Sequence, residues 1–456
     1  MLMAMDPRIV PRKEHRISRK QMSPNALRTL YRLHSRGFIA YLVGGCVRDL
    51  LLGRTPKDFD IGTNATPGQI KRLFRNCRLV GRRFRLAHLR FEDEIVEVST
   101  FRRSADPSDI VGIEEADQGR RHVRHMKDEN GMVLADNIFG TPEEDALRRD
   151  FTINALAYNI ADSSVVDFST GLADLKERLI RSIGHPRLRF TEDPVRMLRA
   201  VRFAASHGFE IEPDAWQSVL ELSPTISRVS PSRLYEEIQK LFLLGVARPT
   251  FALLEKGGLL AFLFPGLADW VDENGRRLEL LDANLRGIDE MVQGGRTVSP
   301  ALLLGALFGP RIEEAALERH RDGVPRRQAL DETCTGFLEE ILKSAHIPGR
   351  VGSRLCAILA LKTSLCRIPS RRPSMIAGRP EFTETLEYLE LGAQTEGEFR
   401  AALEWWKAFL LENPVAIPSE TSTEEKSRKK RRRRRRKPRG QRSGVVPEEG
   451  TAHGRQ

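Results

Sequence analysis

Apolar and polar positions along the chain change their period near residue 170. Before that point, short runs of apolar and β-branched residues alternate with turn residues, which predicts strands and short helices. From Asp174 to about Trp406 the apolar residues recur at helical spacing, interrupted by Pro and Gly. The pattern therefore predicts an α+β head that ends near residue 170, followed by an all-α remainder.

One stretch of the head combines a glycine turn with paired carboxylates. We predict a strand over 41–43, a helix over 47–52 and a second strand over 57–61. Gly44 and Gly45 remove side chains where the chain turns, so a phosphate could approach the backbone. In the second strand, Asp58 and Asp60 point to one face. Their hard oxygens favour Mg²⁺, which predicts metal-assisted nucleotidyl transfer; the alternative is a plain turn followed by an acidic surface strand.

The elements around this stretch are mostly predicted by caps and alternation. We expect a basic arm over 1–23, a helix over 23–36, a turn over 61–66 and a helix from Thr66 to about 74. Two strands are predicted within 79–91 and 94–101, and the second places Ile95, Glu97 and Ser99 on one face. Glu97 is a candidate third carboxylate beside the aspartates, with an ordinary edge-strand glutamate as the alternative.

The chain between 102 and 156 predicts a long loop and then a helix. Residues 102–135 are polar and weakly patterned, which predicts a mobile loop. Thr141 and Glu144 form a capping box, and we expect the helix to continue through 148–156. On such a helix Asp150 and Asn154 share a face, with Arg149 placed for phosphate and Asp150 for metal. The alternative for these charges is a surface ion pair.

A basic stripe marks the start of the all-α remainder. Residues 192–203 predict a helix capped by Asp193 before Pro194. Arg196, Arg199 and Arg202 recur every third residue, and a guanidinium can contact a base or a phosphate. The alternative is a solvated basic face.

Composition adds a charged tail and little else. The chain has 456 residues and a net charge of +12. Residues 426–442 contribute 13 Lys or Arg and no acid, and removing them leaves −1 for the remainder. Basic character thus belongs to a tail that we expect to be disordered. Five scattered cysteines predict neither disulfides nor a zinc site, and the absence of a long apolar segment or signal predicts a cytoplasmic protein without a membrane span.

Four motifs occur in the order of a known family. They are GGCVRDLLLGRTPKDFDIGT from Gly44, RRDFTINA from Arg148, the segment from Asp167 to Asp174, and EDPVRMLRAVRFA from Glu192. Together they resemble the class II nucleotidyltransferases of the polymerase β superfamily. That group holds the bacterial poly(A) polymerases and the tRNA CCA-adding enzymes. The resemblance implies a polymerase-β-like nucleotidyltransferase head followed by all-α neck and body domains.

The resemblance also implies roles for individual residues. Asp58 and Asp60 would bind two Mg²⁺ ions, with Mn²⁺ as an alternative, and Asp150 would be needed for activity. Asp193 and Arg196 would recognise the incoming base. The nucleotide site as a whole would comprise Gly44, Gly45, Arg48, Arg149, Asn154, Asp193, Arg196, Arg199 and Arg202.

Two further features favour the poly(A) polymerase branch. The segment Leu79–Leu89 resembles a stretch that separates the branches, and the tail resembles that of the poly(A) polymerases. A mobile polycation can follow any RNA backbone. We therefore predict RNA contacts at Arg82, Arg83, Arg85, Lys429, Lys430, Arg431, Arg432, Arg433, Arg434, Arg435 and Arg436.

The predicted function is template-independent addition of AMP from ATP to RNA 3′ ends, with RNA-decay proteins as partners. The alternatives are tRNA CCA addition by the same chemistry and a non-catalytic RNA-binding protein. We expect a first helix and arm over 1–36, the catalytic head over 37–172, a nucleotide- and RNA-binding neck over 173–245, a body over 246–412 and a disordered tail over 413–456.

Overall fold

An eight-stranded mixed sheet forms the centre of the N-terminal part of the chain. The computed structural model describes residues 6–81, 85–103, 125–127, 133–136, 138–272, 275–341 and 345–413. The sheet order is β1-β10-β9-β2-β3-β6-β5-β4. The strands are β1 Arg8–Val10, β2 Ala40–Val43, β3 Asp60–Thr63, β4 Cys77–Val80, β5 Leu86–Arg90, β6 Ile95–Thr100, β7 His125–Lys127, β8 Val133–Asp136, β9 Leu156–Asn159, β10 Val165–Asp167, β11 Leu179–Ile180 and β12 Glu210–Ile211.

Helices accompany the sheet and then form the rest of the described chain. Those of the head and neck are α1 Pro24–His34, α2 Gly45–Leu51, α3 Pro67–Leu73, α4 Pro142–Leu147, α5 Gly171–Glu177, α6 Pro186–Glu192, α7 Val195–His207, α8 Pro213–Leu222 and α9 Pro231–Phe242. Those of the body are α10 Ala247–Lys256, α11 Leu260–Leu263, α12 Pro265–Asp272, α13 Gly275–Gln293, α14 Pro300–Arg321, α15 Arg326–Ile341, α16 Gly349–Leu365, α17 Pro373–Ala377, α18 Phe382–Gly392 and α19 Gly397–Glu412. This confirms the α+β head followed by an all-α remainder.

The glycine-turn stretch folds as predicted except at its second strand. Gly44 has a φ of +79°, which favours glycine, and α2 begins directly after it. β3 begins at Asp60 rather than 57 and extends through Thr63, so the predicted turn over 61–66 is wrong. Gly62 lies inside this strand because a Cβ there would come within 2.5 Å of the Phe101 ring. The glycine that suggested a turn is required for close packing instead.

Three other predicted elements differ from the structure. The helix after Thr141 ends at Leu147, and 148–156 continues as a turn, a 3-10 helix and the start of β9. The predicted basic arm contributes β1 to the sheet edge and buries Ile17 completely. Within the predicted loop over 102–135, β7 and β8 pair as an antiparallel hairpin, and 104–124 lie outside the described residues. β11 and β12 form a small parallel sheet that the sequence reasoning missed.

The chain divides into two compact units, Met1–Cys356 and Ala357–Gln456. In the second unit Trp406 is fully buried and its indole nitrogen donates to the Leu365 carbonyl at 3.0 Å. Trp406 is therefore a packing anchor of this unit. No helix in the described part of the chain is both long and apolar enough to cross a membrane.

Candidate active site

A cleft of about 550 Å³ lies in the first unit and is lined by residues of α2, β3 and β6 in the head and of α7 and α9 in the neck. Ten of the predicted catalytic and nucleotide-binding residues line it. They are Gly44, Gly45, Arg48, Asp60, Arg149, Asp150, Asn154, Asp193, Arg196 and Arg199. These residues span 155 positions of sequence, with Gly44 to Asn154 in the head and Asp193, Arg196 and Arg199 in the neck. The structure therefore brings residues of three of the four motifs into one site. Asp58, Arg202 and the segment Asp167–Asp174 are not among the residues that line it.

Asp60 lines the sheet side of this cleft, and the charges of Glu97 and Asp58 act on it. Asp60 and Glu97 are direct partners in the parallel pairing of β3 with β6. The Asp60 side chain opens to solvent, yet crowding by protein atoms, with the charges of Glu97 and Asp58, raises its pKa to about 6 although Arg149 opposes this. His88 Nε2 lies 3.1 Å from Glu97 Oε1. The predicted proximity of Glu97 to Asp60 is thus present in the fold. Asp58 lies before β3 at an exposed position, so the prediction that it shares a strand face with Asp60 is wrong.

These carboxylates supply oxygen donors but not a complete metal cage. Among the described residues no three His, Cys, Asp or Glu side chains converge closely enough to hold an ion alone. Mg²⁺ is commonly held by one or two carboxylates, with water and substrate phosphates completing its octahedron. The donor set of Asp58, Asp60 and Glu97 fits an ion held in that way.

Asp150 has different surroundings, although it lines the same cleft. Its carboxylate accepts hydrogen bonds from the Phe151 amide at 2.8 Å, Asn154 Nδ2 at 3.1 Å and Arg199 Nε at 2.6 Å. Burial by itself would raise the pKa of Asp150, but Arg199 and these hydrogen bonds hold it well below its usual range. The contact between Asp150 and Asn154 was predicted on a helix that does not exist, and the turn provides it instead.

The arginines of the head are fixed by neighbouring polar groups. The Arg48 side chain is buried, and its Nη1 donates to Asn154 Oδ1 at 2.7 Å. Arg149 Nη2 donates to Asp145 at 3.3 Å, and its Nη1 lies where a Cβ on Gly44 would be only 2.7 Å away. Gly44 is therefore needed both for its backbone angle and for the position of Arg149.

Phe203 of α7 lies at the meeting point of three guanidinium groups. The Arg48, Arg199 and Arg202 carbons lie 5.1, 5.4 and 4.8 Å from its ring centroid. An aromatic face attracts cations at this distance. Sequence reasoning placed the arginines but missed Phe203, whose only signal was its position directly after Arg202.

The basic stripe of α7 is held by partners and is not a solvated face. Arg199 pairs with Asp150, and Arg202 Nη1 approaches Glu237 Oε2 at 3.3 Å. Arg196 Nη1 donates to the Arg189 carbonyl at 3.1 Å. The exposed fractions of the three arginine side chains are only 17, 33 and 12% in sequence order. The solvated-face alternative is therefore wrong.

Asp193 does not cap α7. No side chain caps the helix, which begins at Val195, and Asp193 instead accepts from Arg233 Nη2 at 3.1 and 3.0 Å on its two oxygens. Arg233 and Glu237 belong to α9 and line the cleft, although neither was predicted. Their signal would have been two charges four residues apart on an otherwise amphipathic helix.

The predicted RNA contacts are largely outside the described residues. Arg82, Arg83 and 429–436 are not described, while Arg85 is exposed immediately before β5.

Comparisons with known proteins match this arrangement along most of the chain. Residues 40–181 match the poly A polymerase head domain, and 208–271 match the probable RNA and SrmB-binding site of polymerase A. Residues 322–440 match the polymerase A arginine-rich C-terminus. Poly(A) polymerase I of Salmonella typhimurium is 43% identical over 411 residues, covering 89% of this chain and 86% of the relative. The chain belongs to the poly(A) polymerase family.

Membership of this family makes the chain a nucleotidyltransferase, in agreement with the prediction from its motifs. Poly(A) polymerase I of Haemophilus influenzae is 37% identical over 90% of this chain and 89% of its own length. A CCA-adding enzyme from Leuconostoc mesenteroides is 36% identical, but over 53% of this chain and 55% of its own. The solved Bacillus stearothermophilus CCA-adding enzyme in complex with CTP is 28% identical and has a TM-score of 0.55, covering 86% of this chain and 84% of that one.

Proposed function

We propose that this chain adds AMP from ATP to RNA 3′ ends without a template. The observation that carries the proposal is the extent of the match: named poly(A) polymerases align over about nine tenths of the chain, whereas the CCA-adding relative aligns over about half. The match includes the arginine-rich C-terminal region as well as the head. The shared head chemistry alone does not separate the two activities, but the remainder of the chain favours polyadenylation.

Asp58 and Asp60, with Glu97, would hold the Mg²⁺ ions that this chemistry uses, or Mn²⁺ in their place. When bound, these ions lower the pKa of an attacking hydroxyl and neutralise charge on a triphosphate. The crowding of negative charge around Asp60 supports the assignment, because a cation relieves it. Asp150 is less suited to the same task, since Arg199 already neutralises it.

The remaining residues would bind and orient ATP. Gly44 and Gly45 leave the backbone open to phosphates, and Arg48 and Arg149 supply positive charge beside it. Asp193 and Arg196 would recognise adenine, because a fixed carboxylate and guanidinium can complement the donors and acceptors of a base edge. The RNA 3′ oxygen then forms a bond to the α-phosphorus while the bond to the leaving pyrophosphate breaks.

The test supplies one nucleotide at a time to the full chain with Mg²⁺. The RNAs are an unstructured oligomer and a tRNA that lacks its terminal CCA. We expect long A tails on the oligomer and little incorporation of C, G or U. Addition confined to C, C and A on the tRNA would instead establish CCA addition, which the partial match to CCA-adding enzymes makes the second candidate.

A catalytically impaired variant completes the design. Asp58→Ala should abolish incorporation of every nucleotide while RNA binding persists. RNA binding without incorporation by the wild-type chain would indicate the third candidate, a non-catalytic RNA-binding protein. A cytoplasmic location, a role in RNA decay and decay proteins as partners stay predictions.

A further inference from the structure

Acidic residues are absent from two long runs of the head. Residues 15–48 contain seven Lys or Arg and no Asp or Glu, and 61–91 contain eight and again no acid. The near-neutral charge outside the tail therefore conceals a strong local excess of positive charge. The expectation that basic character belongs to the tail alone is wrong.

The fold joins these two runs on one surface. The Arg32 guanidinium of α1 lies 5.2 Å from the ring centroid of Phe74, which follows α3. The Arg19 guanidinium lies 5.4 Å from the ring of Tyr31, which is itself 42% exposed. We name the resulting area the α1–α3 surface. Its exposed members are Arg19, Lys20, Arg28, Tyr31, Arg32, Lys71, Arg72 and Arg75.

Acids border this surface near the first turn of α1 and at the turn that Arg19 contacts, where Asp162 lies between Ile160 and Ser163. Asp93 accepts from the Asn25 side chain at 3.3 Å, and Glu94 accepts from the Ser23 hydroxyl at the first turn of α1. Neither α1 nor α3 contains an acid of its own. Positive charge is therefore concentrated toward the later turns of both helices.

The chemistry of this surface fits single-stranded RNA. Five of its eight exposed residues are arginines, and the planar guanidinium group binds phosphate and stacks on bases. An exposed aromatic ring beside cations is the arrangement that binds unpaired bases in many single-strand-binding proteins. A purely electrostatic partner, such as an acidic protein, would make no use of Tyr31.

We propose that the α1–α3 surface binds the body of the RNA, at a distance from the 3′ end that reacts. None of its residues lines the catalytic cleft. It is also separate in sequence from 208–271 and 322–440, the regions matched to RNA binding and to the arginine-rich C-terminus. The proposal rests on RNA being the acceptor, but binding can be measured without catalysis.

The test uses the full chain and measures binding by fluorescence anisotropy without ATP. The ligands are a 30-nucleotide single-stranded RNA, a six-nucleotide RNA and an abasic chain of 30 sugar-phosphate units. We expect Arg28→Gln/Arg32→Gln/Arg75→Gln to weaken binding of both long ligands by on the order of tenfold at moderate salt. The slope of log affinity against log salt should fall by about 2, because three phosphate contacts are lost.

Tyr31 separates base stacking from charge. Tyr31→Ala should weaken binding of the 30-nucleotide RNA by about tenfold, leave the abasic chain unaffected, and be rescued by Tyr31→Phe. The matched control is Arg286→Gln/Arg319→Gln/Arg321→Gln, which removes the same charge from exposed positions outside 208–271 and 322–440. It should retain most of the affinity for the long RNA.

Two outcomes overturn the proposal. One is equal binding of the long RNA by the triple variant and its control, which would leave this surface to an acidic protein. The other is a loss that also affects the six-nucleotide RNA equally, which would place the effect in the cleft. Failure of the proposed function would appear separately, as absence of AMP incorporation by the wild-type chain.

Discussion

Asp60 and Asp150 line one cleft but have opposite electrostatic surroundings. Asp60 faces Glu97 and Asp58, and its pKa is raised to about 6 by crowding and by those two charges. Asp150 is surrounded by donors and pairs with Arg199, and its pKa lies below the usual range. One carboxylate thus needs a cation from outside the chain, whereas the other already has one.

The difference separates two kinds of task in the cleft. A carboxylate crowded by others is destabilising until a cation binds, so it is suited to holding a metal. A carboxylate paired with an arginine instead joins the two elements that carry the partners. Asp150 follows α4 in the head, and Arg199 belongs to α7 in the neck, so their pair holds α7 against the head.

The largest effect should come from Asp60→Asn. Loss of one charged metal ligand should lower AMP incorporation by on the order of a thousandfold or more, because charge stabilisation in the transition state is lost. In metal-free buffer at pH 7 the melting temperature should stay level or rise, since a raised pKa means that the ionised form of Asp60 opposes folding above its unfolded pKa.

Incorporation would be measured at saturating ATP, and unfolding by circular dichroism without divalent ions. Asp331→Asn, at an exposed position of α15, is the control and should change neither quantity. Near-normal turnover by Asp60→Asn would contradict the assignment of Asp60 as a metal ligand. A clear fall in its melting temperature would contradict the claim that its ionised form opposes folding.

Asp150→Ala should have a smaller effect and, unlike Asp60→Asn, should lower the stability of the fold. Removing this carboxylate leaves Arg199 partly buried without its partner, which should destabilise the first unit by about 3 kcal/mol. The depressed pKa means that the pair stabilises the fold above pH of about 4 and that this contribution is lost as the pH falls further. The variant should therefore lose part of the wild-type acid sensitivity.

Chemical denaturation at pH 7 and pH 3.5 measures both effects. The exposed pair of Arg187 with Glu221 provides the control, and Glu221→Ala should cost less than about 1 kcal/mol. Adding Arg199→Leu to Asp150→Ala should restore part of the lost stability, because the unpaired charge is removed. If the double variant is no more stable than Asp150→Ala, the pair of Asp150 with Arg199 does not hold α7 against the head.

The cleft shows which parts of a site can be predicted from sequence and which cannot. Ten of the twelve predicted catalytic and nucleotide-binding residues line the cleft, because each motif is local and short elements preserve its spacing. Arg233 and Glu237 were missed because their partners, Asp193 and Arg202, are 40 and 35 positions away. Only the docking of α9 beside α7 brings them together, and no local pattern reports it.

The errors in secondary structure have a similar cause. β9 is a central strand of four residues that are almost all buried, so it lacks the alternation that marks a half-exposed strand. The helix predicted over 148–156 therefore includes its first residue, Leu156, and the alternation predicts no strand over the rest of it. β1 has three residues and gains its stability by pairing with β10, some 155 positions later. Short strands are determined by the sheet that receives them.

The smallest effect should come from Arg233→Gln. This variant tests whether Asp193, a carboxylate already paired with an arginine, also selects ATP over CTP. Arg233 contacts both oxygens of Asp193, so its loss frees that carboxylate to rotate without removing it. We expect the ratio of kcat/KM for ATP to that for CTP to fall about tenfold, equivalent to one charged hydrogen bond of about 1.4 kcal/mol.

Arg233→Lys should keep part of the ratio, and Arg228→Gln at a nearby exposed position should keep all of it. A purely structural role would lower both rates together and leave the ratio unchanged, and that result would remove Arg233 from base selection.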